Sequence, residues 1–221
     1  MPRCPQLPPK TAYMSCHFSP YGIGLSNLPR SLPPGSALML TDRTPIWEHD
    51  PGQIAKQLAQ CVQQHACSGV LLDLQRPEQP SALPIIAAVL ETLPCPVVVS
   101  ESYAAHFPCP VLVSPPPLWT PLSQHLTPWQ GRQIWLEAAL DAATVTVDAH
   151  GSHYLPCPYL PPENCHRDDA LHIAYQTELQ EAAAVFHLYR DKEELNALLT
   201  EAAALGVQEY IGLYQQLNSE K

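Results

Sequence analysis

The chain has 221 residues, 46% of them hydrophobic and only 14% charged, with a formal net charge of −10. That length suits one domain with a modest insertion, and no Lys or Arg lies between Arg76 and Arg132. Nucleic-acid and anionic-membrane binding are therefore excluded as expectations, because both need clustered cations. The start, MPRCPQLPPK, has no apolar core of signal-peptide length, and no run approaches the roughly 18 apolar residues of a membrane span. A cytoplasmic protein is expected. The eight cysteines, three of them in Pro-Cys-Pro triplets around Cys95, Cys109 and Cys157, form no CxxC pair and read as free thiols.

Residues 1–10 read as a loose, proline-rich arm. Tyr13 to His17 form a short strand, and Ser36–Thr41 a second, apolar enough to be buried and followed by Asp42 and Arg43. Asp50, Pro51 and Gln53 then make a helix start, with Ile54, Leu58, Cys61, Val62 and His65 at helical spacing. Val70–Leu72 is a third strand ending at Asp73. Ser81 opens a helix with Leu83, Ile86, Ala87 and Leu90 on one face. VVVS, ending at Ser100 and Glu101, and VLVS, ending at Ser114, are the fourth and fifth strands.

Ile134–Ala139 and Thr144–Ala149 look like a strand pair, and Leu171–Glu178 with Ala184–Tyr189 a hairpin about Gln180–Glu181. Asp191 and Glu194 cap a last helix, buried through Leu195, Leu198, Leu199, Ala202 and Leu205 and closed by Gly206. Tyr210–Leu213 is the final strand. Alternating strands and helices, with strands apolar at successive positions, indicate an α/β fold with a parallel sheet buried on both faces. In barrels of this kind chemistry gathers at the carboxyl ends of the strands, here at Asp42, Asp73, Glu101 and Ser114.

Two segments resemble a known family. Ser68–Pro77, SGVLLDLQRP, is similar to the signature strand D-G-x-D-x-D-x-E of family 18 (chitinase-like) glycoside hydrolases. Leu171–Leu217 follows the order in which such enzymes end: a tyrosine-bearing strand, a hairpin, an acidic step, a helix, a glycine and a closing strand. The resemblance implies a TIM-like (β/α) barrel, helix-poor, as a single domain over 1–221, with a chitinase-like insertion at about 150–170. It also implies substrate-assisted hydrolysis, in which an acid protonates the leaving oxygen and an aspartate two residues earlier orients the sugar's acetamido group. Asp73 falls on the orienting aspartate and Gln75 on the acid; Ser68 and Leu71 replace the other two aspartates. An amide delivers no proton, so general-acid help worth about 10²–10⁴ would be lost. The family's last-strand Trp falls on Leu213.

Three function classes follow. The leading one is a degenerate hydrolase barrel that has lost hydrolysis and binds an N-acetylated carbohydrate or a partner, its mouth lined by Asp73, Gln75, Glu101 and Tyr175. Asp42, Arg43, Arg76, Tyr103 and Glu137 are further candidates for ligand contact. The second is an active glycosidase using Asp73 with Glu101, or with Glu137. Glu178 is a weaker carboxylate candidate. The third is a protein-interaction scaffold. Trp47, Trp119 and Trp129 fall in loops where rings stack on sugars, whereas Trp135 lies within a strand and reads as core. His150, His153, Cys157, Cys165 and His166 are zinc-ligand types at no standard spacing, so ordinary loop roles are expected there and no metal or other cofactor is.

Overall fold

In the computed structural model, residues 10–25, 35–43, 48–76, 81–157 and 164–213 are described. The expected arm, save Lys10, lies outside them, as do Trp47 and the Leu213 side chain. The chain divides into two compact units.

The first unit comprises Pro8–Ser114, Gly131–Glu137 and Val207–Lys221. Its strands are β1 (Lys10–Ser19), β2 (Gly22–Leu25), β3 (Ala37–Thr41), β4 (Gly69–Asp73), β5 (Val97–Ser100), β6 (Val111–Val113), β7 (Ile134–Glu137) and β13 (Glu209–Leu213). They pair in the order β13-β7-β6-β5-β4-β3-β1-β2, and β13 also pairs with β1. All these ladders are parallel except β1 with β2. Among the described residues, then, seven parallel strands curl until the last meets the first. The expected α/β class holds, with few helices and one strand fewer than an eightfold barrel.

The inside of this ring is built from one or two residues of each parallel strand. Tyr13, Ala37, Met39, Leu71, Val98, Leu112 and Ile211 form one buried cluster, with Trp135 packed against it. Every parallel strand contributes. Burying each large member contributes about 1.5–3 kcal/mol. The opposite strand faces carry Leu38, Leu40, Val70, Leu72, Val97, Val99 and Val111, all buried as well. Two buried faces explain why these strands read as unbroken apolar runs rather than alternating ones.

Helix α1 (Pro51–Gln64) starts as its sequence dictates: Asp50 accepts the Gln53 N–H at 2.7 Å and Pro51 occupies the first turn. It buries Ile54, Ala55 and Leu58. Gln57 on this helix accepts the Ile23 N–H at 2.9 Å, tying down the β1–β2 turn. Gly22 stands at φ +126°, a conformation that favours glycine, and a Cβ there would also displace the end of the Gln57 side chain. Helix α2 (Ala82–Thr92) buries Ala82, Ile85, Ile86 and Val89. Of the four positions expected on its inner face, Ile86 alone is fully buried; the helix is apolar nearly all round, so its periodicity does not select a face.

The second unit comprises Met1–Leu7, Pro115–Gln130 and Ala138–Gly206. It holds β8 (Asp141–Asp148), β9 (Gly151–Pro156), β10 (His166–Asp168), β11 (Ile173–Gln180) and β12 (Ala183–Arg190), an antiparallel sheet in the order β10-β11-β12-β8-β9. Two helices, α3 (Leu122–Leu126) and α4 (Lys192–Ala204), complete it. The β11–β12 hairpin is the one expected. The strand pair expected before it does not form: β7 joins the parallel ring and β8 the antiparallel sheet. Part of the span expected as an insertion loop is strand, namely β9 and β10. Leu118, Ala143, Ile173 and Leu188 form this unit's core, flanked by Val145, Leu171, Tyr175 and Phe186. Asp191 caps α4 by accepting the Glu193 and Glu194 N–H groups at 2.8 and 2.9 Å, and Gly206, at φ +90°, ends it.

Candidate functional site

Side chains two apart on a strand share a face. Leu71 and Trp135 belong to the ring's interior cluster, so Asp73 and Glu137, two residues further on, belong to the interior face at the carboxyl ends of β4 and β7. The two strands lie on either side of β5 and β6 in one direction around the ring. Tyr13 of β1 belongs to the same interior cluster, and its hydroxyl donates to Glu137 Oε1 at 2.9 Å.

The surrounding residues order the rim. Asp42, buried after β3, accepts the backbone N–H groups of Gln75 at 3.1 Å and Arg76 at 2.8 Å. The Gln75 side chain donates to Asp73 Oδ1. Arg76 donates to the Arg43 carbonyl at 3.2 Å, and Tyr103, buried, donates to the Arg76 carbonyl at 2.9 Å. Ser100 holds the Leu74 carbonyl at 2.6 Å. Glu101 Oε1 accepts the Ser114 N–H at 2.9 Å, bridging the ends of β5 and β6. Asp42, Tyr103 and Glu101 thus hold backbone, and they shape a frame in which Asp73 and Glu137 are the carboxylates whose oxygens touch only side chains in the bonds above.

The electrostatics single out the same pair. Burial raises the Asp73 carboxyl above its ordinary value; Asp42 adds to this, while the Gln75 hydrogen bond and Arg43 oppose it. Burial likewise raises Glu137, Asp73 adds to that, and the Tyr13 hydrogen bond and Arg43 oppose it. Glu137 therefore feels Asp73, whereas the charged neighbours that act on Asp73 are Asp42 and Arg43. Burial and Glu137 push the Tyr13 phenol upward, so it stays a donor. Among the described residues neither carboxylate has an ion-pair partner. Two half-buried carboxyls biased toward the protonated form can donate to, as well as accept from, a neutral polar ligand.

The remaining candidates fall elsewhere. Tyr175 lies on β11 of the second unit, against its core and 5.5 Å from the His166 ring. Glu178 is exposed on the same strand. Trp119 and Tyr154, both about half exposed, meet edge-on at 5.0 Å in that unit. Cys157 and Cys165 pack against Ala142, Ala174 and Tyr189, and His153 pairs with Asp148 at 3.7 Å. Among the described residues no group of three or more His, Cys, Asp or Glu could hold a metal ion, and the described cysteines are free thiols. Sequence reasoning missed Tyr13, which alternates with Thr11, Ser15 and His17 on one side of its strand and so carries no distinguishing local signal.

No family model matches the chain, and no curated protein matches it in sequence. Solved structures do match in fold. The proposed sporulation-specific glycosylase ydhD from Bacillus subtilis superposes with a TM-score of 0.55 at 7% identity, covering 90% of this chain and 91% of its own. The spore cortex-lytic enzyme SleL from Bacillus megaterium gives 0.53 at 8% identity, over 98% and 72%. SleL from Bacillus cereus gives 0.51 at 10%, over 80% and 55%, so the chain spans about half the length of that enzyme. At such identities the likeness establishes a fold shared with these enzymes. No described helix is long and apolar enough to cross a membrane.

Proposed function

We propose that this chain is a reduced TIM-like barrel, similar to family 18 glycoside hydrolases, that binds an N-acetylated carbohydrate at the carboxyl ends of its parallel strands. The observation that carries the reading is the unpaired, half-buried carboxylate Asp73 at the interior end of β4, held by Gln75. The glycosylase and cortex-lytic enzymes of the same fold support the ligand class. In this reading Asp73 accepts the acetamido N–H of a sugar. Gln75 stands where the family places its proton donor, so hydrolysis through that position is lost. Tyr103, Asp42, Arg43, Arg76 and Glu101 act as the frame.

Titration calorimetry with N-acetylglucosamine oligomers tests this. The wild type is expected to bind, and Asp73→Asn, which keeps an acceptor for Gln75 but loses the charge, to bind about tenfold more weakly, as befits one charge-assisted hydrogen bond. Absence of heat with every oligomer length would sink the reading.

A further inference from the structure

The position of Gln75 removes a proton donor from the motif strand, yet the ring supplies another carboxyl on the same interior face. Glu137 closes β7, two residues beyond Trp135 of the interior cluster. Its Oε1 accepts the Tyr13 hydroxyl at 2.9 Å, which fixes the rotamer and leaves Oε2 to carry a proton. It has no cationic partner among the described residues, and Asp73 is near enough to influence it. Acid-assisted glycoside cleavage needs a carboxyl that is held in place and can carry a proton, and Glu137, on the interior face and fixed through one oxygen by Tyr13, is such a group.

Resting on the carbohydrate reading above, we infer that Glu137 is the proton donor of this barrel in place of Gln75, with Tyr13 as its positioning residue. Glu137 Oε2–H transfers its proton to the glycosidic oxygen as the C1–O bond breaks, and the departing sugar leaves as an alcohol. The substrate's own acetamide oxygen bonds to C1, giving an oxazolinium ion whose N–H is held by Asp73. Water then adds to C1 and loses a proton to the Glu137 carboxylate. The C1–O bond to the acetamide breaks, restoring the acetamide and the acid, with overall retention of configuration. The charged and titratable groups facing Glu137 are Tyr13 from β1, Asp73 from β4 and Arg43 after β3. Burial holds the acid above the ordinary carboxylate range, which keeps a protonated fraction at higher pH.

The test uses the full chain and the N-acetylglucosamine tetramer, with products resolved by mass spectrometry and binding measured separately. Wild type is expected to cleave it, and Glu137→Gln to lose about 10²–10⁴-fold in turnover while the tetramer Kd stays within about threefold. An aryl glycoside of the dimer, whose leaving group needs no protonation, is expected to suffer far less from the same substitution. A merely structural role would lower both substrates alike. Tyr13→Phe removes a bond that lowers the Glu137 pKa, so the alkaline limb of the rate profile moves to higher pH. Binding without cleavage by wild type, or undiminished tetramer cleavage by Glu137→Gln, overturns the assignment and leaves the binding reading standing. Absence of binding overturns both.

Discussion

The two units handle charge in opposite ways. In the antiparallel unit Arg167 meets Asp191 at 3.8 Å, Glu193 at 2.8 Å and Glu194, and His172 meets Glu201. His153 and Asp148 pair in the same unit at 3.7 Å. Arg190, fully buried in that unit, donates to the Pro116 carbonyl at 2.9 Å; burial pushes its pKa down to about 10, against the pull of Asp141 and Glu194. In the parallel unit Asp73 and Glu137 sit half-buried with hydroxyl and amide partners only. The partly exposed charges of the antiparallel unit are matched to opposite charges, whereas the buried Arg190 bonds a carbonyl oxygen. Carboxylates left unmatched at the open end of an apolar ring cost stability, and such costs cluster at working sites.

The largest expected effect breaks the ring itself. Leu71→Ala, at a fully buried interior position, should cost about 2–5 kcal/mol in urea denaturation, whereas Leu179→Ala, 82% exposed in the other unit, should stay within about 0.5 kcal/mol. Equal effects would mean that the ring interior is not packed as described. Next come the helix caps, one in each unit. Asp191 accepts two N–H groups and Asp50 one, so Asp191→Ala should cost about 1–2 kcal/mol and Asp50→Ala about 1.

The smallest effect is the most specific. Asp73 and Glu137 have folded pKa values above their unfolded ones, so the folded state binds more protons than the unfolded chain between those values. Stability from this source is present below the unfolded carboxylate range and lost as pH rises through the folded values. Glu137→Gln should therefore raise Tm at pH 7 by about 2–4 °C, the size of roughly 1 kcal/mol for a chain this long. The gain should vanish at acid pH, where both forms are neutral. A gain that persisted there would point to packing rather than charge.

Much of the parallel unit was legible in the sequence, for a physical reason. Strands buried on both faces are short apolar runs bounded by polar residues, and β3, β4, β5, β6 and β13 fall within a residue or two of their expected bounds. The Asp50 and Asp191 caps were equally plain, because a carboxylate before a helical stripe has one local task. Pairing was not legible. Ile134–Glu137 and Asp141–Asp148 are separated by three small or apolar residues, and nothing local tells a hairpin from a strand that leaves one sheet for another. The site was half legible. Asp73 and Gln75 stood out through their motif, but the weight of Glu137 depends on Tyr13, 124 positions away, and on a ring that closes only through β13. Glu101, by contrast, looked like a partner for Asp73 from strand order alone, and in the structure it accepts the Ser114 N–H.

A crystal structure with a bound N-acetylglucosamine oligomer tests the central claim most directly. The account predicts a sugar at the carboxyl end of the ring, its acetamido N–H on Asp73 and its glycosidic oxygen within hydrogen-bond reach of Glu137. An oligomer seated elsewhere, or a ring whose end stays empty at saturating oligomer, would contradict it.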